Sequence, residues 1–212
     1  MRMAPKVTRE YKQAVRDRVL KAAETLFSEK GYYDASMDEI VAESGLSKGA
    51  IYGYFKSKED LFVALQDKHL VASLDELRST FTQSDSARTK LERIVDVAFT
   101  SMIGASKRAC RISLEFDVAA PRMKSVERRR EGRFKAVRDF LAEIIAEGVE
   151  RGEFRQDVDA DSAALILLAM ADGLSLEWAT TSLDFDWKVL ANQTKGLVAE
   201  GLLESGLLAH AR

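Results

Sequence analysis

Between Gly45 and Leu61 the chain reads GLSKGAIYGYFKSKEDL. Hydroxyls and amines on Ser47, Lys48, Tyr52, Tyr54, Lys56 and Lys58 alternate there with apolar Leu46, Ile51 and Phe55. Donors of this kind bind rather than react. Lysine and tyrosine reach phosphate oxygens, and a lysine also reads the edge of a guanine. Gly49 has no side chain, so the backbone can come close to a phosphate or a base. Lys48 and Ala50 sit at the helix start, where a recognition helix meets bases. Lys58 falls in the first turn of the next helix, where its charge opposes the helix dipole, and a bound phosphate would offset that conflict. Plainer readings stand beside each assignment. Tyr52 and Tyr54 can be packing residues, Lys48 and Lys58 solvated charges, and Ser36 and Ser47 helix caps alone.

The elements that must position these groups are helical. Val15, Val19, Ala22, Ala23, Leu26 and Phe27 recur at helical spacing and predict a first helix over about 10–30, ended by Gly31. Ser36-Met-Asp-Glu39 is a capping box opening a helix over 37–43 that stops at Gly45. Ser47 caps a third short helix, and Ser57-Lys-Glu-Asp60 opens a long one to about residue 80. Two short helices around a glycine-containing turn form a helix-turn-helix pattern, whose second helix can enter the major groove of DNA. Further helices are predicted over 86–104, 108–118, 123–151, 160–180 and 187–206. The expected division is a DNA-binding domain over 1–57 and an effector-binding and dimerisation domain over 58–212, with the 58–80 helix as the joint.

Composition agrees with an all-α chain. There are two prolines, 46% apolar residues and a net charge of −2. Residues 1–21 are locally basic, with seven Lys and Arg against Glu10 and Asp17. That excess suits either an anionic partner or a solvated helix start. Cys110 is the single cysteine, so neither an internal disulfide nor a multi-cysteine metal site is possible. No apolar run is expected to approach the ~18 residues of a membrane span, and no signal peptide is apparent. The chain is therefore expected to be soluble and cytoplasmic, and Asn192-Gln193-Thr194 a chance glycosylation match.

Competing motifs fail on context. Gly45-Leu-Ser-Lys-Gly49 fits the nucleophile elbow of hydrolases, but that motif needs a strand before the serine, and the only candidate bases are His69 and His210. Asp157-Val-Asp-Ala-Asp161 starts like a calcium loop, yet Ser162 stands at position six and Leu168 at position twelve. An acidic helix start explains it better. No phosphate loop, dinucleotide fingerprint, metal site, cofactor site or catalytic set is expected.

With the motif in register, the segment AAETLFSEKGYYDASMDEIVAESGLSKGAIYGYFKSKEDL resembles the DNA-binding domain of the TetR family of one-component regulators. The resemblance implies an all-α homodimer whose three-helix DNA-binding domain is joined to a variable bundle that senses a small molecule. By position, Ser36 would touch phosphate, Lys48, Gly49 and Ala50 would face bases, and Tyr52, Tyr54 and Lys58 would clamp phosphates, with Ser47 opening the recognition helix. Gly53 stands where many members have an aromatic, and Tyr54 where histidine is frequent.

The stretch from Asp161 to Thr181 is apolar on more than one face, and its LLAMADGLSLEW resembles the penultimate helix of that family. The resemblance implies a four-helix dimer interface, with Ala164, Leu168, Ala171, Leu190, Leu197 and Leu202 as candidates. An intramolecular core helix is the other reading. Candidate effector contacts within the bundle are Phe99, Met102, Arg111, Phe116, Phe134, Met170 and Trp178, each also suited to ordinary core. Arg111 and Glu115 can pair on one helix. Arg128-Arg-Arg130 suits an anionic head group or, more simply, a solvated face. The expected function is a repressor released from a pseudo-palindromic double-stranded DNA operator by a hydrophobic or amphipathic effector, without membrane association. An activator with the same contacts and a DNA-independent ligand-binding dimer are the alternatives.

Overall fold

In the computed structural model, residues 8–104, 107, 110, 111, 113, 114 and 124–203 are described. Local signals in the sequence set the first four helices. The Thr8 hydroxyl accepts the Tyr11 N–H and opens α1, Arg9–Lys30. Gly31 closes it at a positive φ of 87°, donating its N–H to Phe27 O. The capping box forms as predicted: Ser36 Oγ accepts from Glu39 N, and Glu39 accepts from Ser36 N, opening α2, Met37–Ser44. Gly45 ends α2 in the left-handed region at φ 62°, and a Cβ there would lie 2.7 Å from Arg18 Nη2. Ser47 caps α3, Lys48–Tyr54, and Ser57 caps α4, Lys58–Ser79. The remaining described helices are α5 (Ala87–Gly104), α6 (Lys124–Glu150), α7 (Ala160–Thr180) and α8 (Trp187–Leu203). Lys107, Cys110, Arg111, Ser113 and Leu114 are also helical, and the rest of the helix predicted over 108–118 lies outside the described residues.

Two main cores organise these helices. The first joins Val19, Ala23 and Leu26 of α1 to Ile40 of α2, Ile51 of α3, Phe55, and Leu61, Ala64 and Leu65 of α4. The second joins Leu77 at the far end of α4 to Leu91, Phe140, Leu141, Ile145, Phe154, Ala164 and Leu202. Leu74 packs on it from α4. One helix therefore serves both cores. A smaller aromatic cluster sets Trp187 edge-on to Phe99, Trp178 and Phe185, with ring centroids 5.4–6.0 Å apart. Polar ties hold the bundle's ends. Glu153 accepts the Ala87 N–H at 2.6 Å, capping α5 from across the bundle, and Lys90 pairs with Glu147 at 2.7 Å.

The expectation that no apolar run reaches membrane-span length fails on α7. An 18-residue window of it has a mean hydropathy of 1.4 and is long and apolar enough by composition. Only 17% of that window is buried. Ala164 turns inward, while Leu165, Ile166 and Leu176 stand 45–59% exposed. The inward side of α7 meets α6 of the same chain at Ala164 in the second core.

Two glycines of α6 should respond oppositely to alanine. A Cβ at Gly148 would meet the Phe154 ring at 2.3 Å and Ala87 Cβ at 2.9 Å, whereas nothing lies within 4 Å of one at Gly132. Gly132→Ala should raise unfolding stability by about 0.5–1 kcal/mol through helix propensity. Gly148→Ala should lower it by about 1–3 kcal/mol through overpacking. Urea denaturation of both variants checks the signs.

Candidate functional site

The second and third helices present one polar face, and local packing decides which side chains reach it. Ile51 is fully buried and Phe55 nearly so, anchoring α3 on the first core. Arg16 lies 4.9 Å over the Phe55 ring and adds a cation–π contact from α1. That anchoring turns Ser47, Lys48, Gly49, Gly53 and Lys56 outward as exposed residues. Gly49 and Gly53 have open space where a Cβ would stand. Ala50, Tyr52 and Tyr54 are half-buried, and Tyr54 also packs on the first core. Ser47 Oγ accepts from Ala50 N and Ser36 Oγ from Glu39 N, so both serines act as caps here.

The two lysines assigned to nucleic acid occupy different situations. Lys48 Nζ pairs with Asp38 Oδ1 at 2.7 Å, with both side chains more than half exposed. The Asp38 hydrogen bond raises the Lys48 pKa, and the ammonium stays charged. An exposed pair of this kind is screened by solvent and weak, so a base or phosphate can displace Asp38 readily. Lys58 is held differently. Its ammonium donates to the carbonyl oxygens of Tyr32, Tyr33 and Ala35 at 2.7, 3.1 and 2.8 Å and lies 4.5 Å over the Tyr32 ring. The charge that the sequence reading matched to a phosphate is thus matched by three carbonyls. Tyr32 donates its hydroxyl to Glu59, and burial followed by the Glu59 charge pushes that phenol well above its ordinary pKa. Together Lys58, Tyr32 and Glu59 lock the 31–35 turn that aims α2.

The bundle carries the second candidate site. Phe99 and Met170 line an interior cavity of about 120 Å³ between α5, α6, α7 and α8, with Leu91, Leu141 and Leu174 among its walls. Other expected contacts fall elsewhere. Phe134 is 39% exposed on α6, and Trp178 is buried in the aromatic cluster without lining the cavity. Arg111 donates from Nε and Nη2 to Ala179 O at 3.1 and 2.8 Å, tying down the end of α7. The Met102 side chain, Phe116 and Glu115 lie outside the described residues. Arg129 turns from the arginine run to α4, meeting Asp60 O at 3.3 Å and Asp67 at 3.8 Å. Asp159 caps α7 by accepting from Ser162 N, as an acidic helix start predicts. Among the described residues, no group of three His, Cys, Asp or Glu side chains could hold a metal ion.

The candidates for a dimer face divide in the same way. Ala164 and Leu202 are buried inside the protomer, so they are core rather than surface. Leu168 and Ala171 are half-buried on the cavity wall, and Leu190 packs beside the aromatic cluster. Leu197 is 61% exposed. Sequence reasoning missed Leu165, Ile166 and Leu176 on α7 and Val189 on α8, which are exposed as well. The signal was the spacing of 165, 169, 173 and 176, a single helical stripe of large and small apolar residues.

Two outcomes follow from this geometry. Lys58→Ala leaves three carbonyls without their shared donor and should destabilise the free protein by roughly 1–3 kcal/mol, measured by thermal unfolding without DNA. Glu39 is held down to about 2 by the Lys30 hydrogen bond, with Ser36 adding to it. A depressed carboxylate stabilises above its ordinary value of 4.5, and that stability is lost as pH falls toward 2. Glu39→Gln should therefore flatten the fall in melting temperature between those pH values.

Comparison with known proteins agrees with this arrangement. Residues 19–65 match the family described as bacterial regulatory proteins, tetR family. Residues 87–203, more than half of the chain, match the BetI-type transcriptional repressor C-terminal domain. A fatty acid metabolism regulator protein of Bacillus subtilis is 24% identical over 186 residues, 87% of this chain and 93% of its own. The HTH-type transcriptional repressor KstR2 of Mycolicibacterium smegmatis is 27% identical over 204 residues, 92% and 94% of the two chains. A crystal structure of the regulator FadR from Bacillus subtilis in complex with stearoyl-CoA superposes with a TM-score of 0.67 at 20% identity, covering 87% of this chain and 98% of that one. At that identity the structural likeness speaks for the fold alone. The helix-turn-helix module and the bundle thus match together and in order, and the chain belongs to the tetR family of regulatory proteins: a DNA-binding transcriptional regulator, not an enzyme, with a BetI-type C-terminal domain.

Proposed function

We propose that this regulator is a homodimeric repressor that leaves a pseudo-palindromic operator when a small apolar or amphipathic effector enters its bundle. The observation that carries this reading is α4, which supplies Leu61, Ala64 and Leu65 to the DNA-binding core and Leu74 and Leu77 to the core beside the cavity. A shift in one core is thereby felt in the other. The cavity walls favour an apolar occupant, with Thr194 the one polar side chain among them. KstR2 is described as a repressor, the C-terminal match is to a repressor domain, and the Bacillus subtilis relative is a fatty acid metabolism regulator protein. These similarities support a repressor with an effector of that general kind.

The outer face of α7 and α8 supports the dimer. Leu165, Ile166 and Leu176 on α7 and Val189 and Leu197 on α8 are large apolar residues left exposed, and apolar exposure on neighbouring helices suits an interface. Two copies would present two α3 helices to half-sites about 34–36 Å apart. On each α3, Lys48, Gly49 and Ala50 face bases while Tyr52 and Tyr54 face the backbone, which Ser36 also meets from the start of α2. Lys58 acts through the turn it holds. An effector shifts the equilibrium only by binding the DNA-incompetent arrangement better, and a tenfold preference is about 1.4 kcal/mol.

A labelled duplex from upstream of the protein's own gene tests the reading by fluorescence anisotropy against a shuffled duplex at two salt concentrations. Tight binding to the native duplex alone, weakening as salt rises, is expected. Equal weak binding to both duplexes by protein stripped of small molecules would count against it. Lys48→Ala should cost roughly 1–3 kcal/mol on the operator if Lys48 reads a guanine, and little on random DNA. Equal weakening on both would move Lys48 to the phosphate backbone.

A further inference from the structure

Asp38 is a carboxylate on a face assigned to an anion. Its side chain is 76% exposed, and it meets Lys48, 61% exposed, at 2.7 Å. An exposed acid on such a face repels phosphate, so Asp38 works against non-specific binding to DNA. The helix dipole accounts for an acid in the first turn of α2, where Glu39 is a second one. It does not account for the pairing, which joins α2 to α3 across the turn at Gly45. The backbone is fixed at both ends of the pair. Ile40 is fully buried and the capping box closes the start of α2, while Ser47 caps α3 and Ile51 is fully buried.

On a phosphate the two groups must part, because Asp38 and the phosphate carry the same sign. On a base pair they need not. An ammonium has three donors, and Asp38 takes one of them. In the major groove guanine shows its O6 and N7 acceptors, and cytosine its N4 amino donor. O6 and N4 are joined by the base pair's own hydrogen bond, about 2.9 Å long. Lys48 Nζ and Asp38 Oδ1 stand 2.7 Å apart, donor beside acceptor. Set against that edge, each group meets its complement without breaking the ion pair, and N7 takes the ammonium's third donor.

We propose that Lys48 and Asp38 together read one G·C base pair, Lys48 on guanine O6 and N7 and Asp38 on the cytosine amino group. This rests on the reading of α3 as the recognition helix. Asp38 is then a specificity-determining residue, because it fixes the orientation of the base pair. A flexible lysine alone follows the guanine when G·C becomes C·G. The carboxylate prevents that, since it would face O6 in the inverted pair.

An operator is first selected with the wild-type protein from a library of random-sequence duplexes. Each base pair of its half-site is then inverted in both halves. Binding is measured by fluorescence anisotropy for the wild type, Lys48→Ala and Asp38→Ala. At one G·C position the wild type should lose about tenfold on inversion, and both variants should lose that preference. N4-methylcytosine at the same position removes the amino N–H from the major groove. It should weaken the wild type about tenfold and leave Asp38→Ala unchanged. The methylated duplex tests the wild type directly, so its result holds even where a substitution harms folding. The proposal is overturned if the wild type binds the methylated duplex as it binds the plain one. It is also overturned if Asp38→Ala keeps the preference that Lys48→Ala has lost, if Lys48→Ala loses none, or if the Lys48-dependent position is A·T. A selection that yields no preferred duplex would remove the sequence-reading function itself.

Discussion

A helix that contributes to two cores cannot be displaced in one without disturbing the other. α4 is in that position, and its fixing points are distributed along its length. At the start, the Lys58 ammonium bonds three carbonyls of the turn before α2. In the middle, Asp67 meets Arg133 at 3.3 Å and Arg129 at 3.8 Å, both from α6. Near the end, Leu74 and Leu77 enter the second core. The middle pairs are partly exposed, so their energy is modest. Their consequence is directional. They set the rotation of α4 against α6, and through Lys58 that rotation reaches α2.

Two lysines ten residues apart in one motif have opposite fates, and the reason is non-local. Lys48 meets a nearby exposed carboxylate and remains available to a stronger partner. Lys58 meets backbone that lies 23–26 residues away and is held there. Its charge still counters the local dipole conflict, but the countering group is the protein's own main chain. A motif can carry a lysine at a fixed spacing for either purpose, and spacing alone does not distinguish them.

The same division explains what was legible in the sequence. Features set within four residues were readable: the capping box at Ser36, the serine caps at Ser47 and Ser57, and the glycine stops at Gly31 and Gly45. They fixed the first four helices to within a residue or two and placed α3 with its polar face outward. The bundle was less readable because its side chains are assigned by neighbours far away in the chain. The sequence of α7 shows that more than one face needs cover, but not which residue turns to which neighbour. Ala164 faces α6, Leu197 faces outward, and Trp178 is enclosed by an aromatic cluster drawn from α5, α7 and α8. Asp67 gave no local signal either, since its partners lie more than 60 residues downstream.

Within the proposed mechanism, these contacts define how an effector can act over a distance. Met170 stands on the cavity wall less than two turns from Ala164, the point where α7 and α6 meet in the second core. Interiors are close-packed, so a side chain displaced by a ligand must push its neighbours rather than compress them. A push at Met170 falls on a helix whose outer face has little covering within the protomer and whose inner face is fixed to α6. α6 carries Arg129 and Arg133, and these hold Asp67. The displacement therefore reaches α4 through two packed helices and one ionic grip. A partner over the outer face would remove the easy outward route for α7 and direct more of the movement inward, toward α4. On this argument the dimer contributes to switching as well as to half-site spacing.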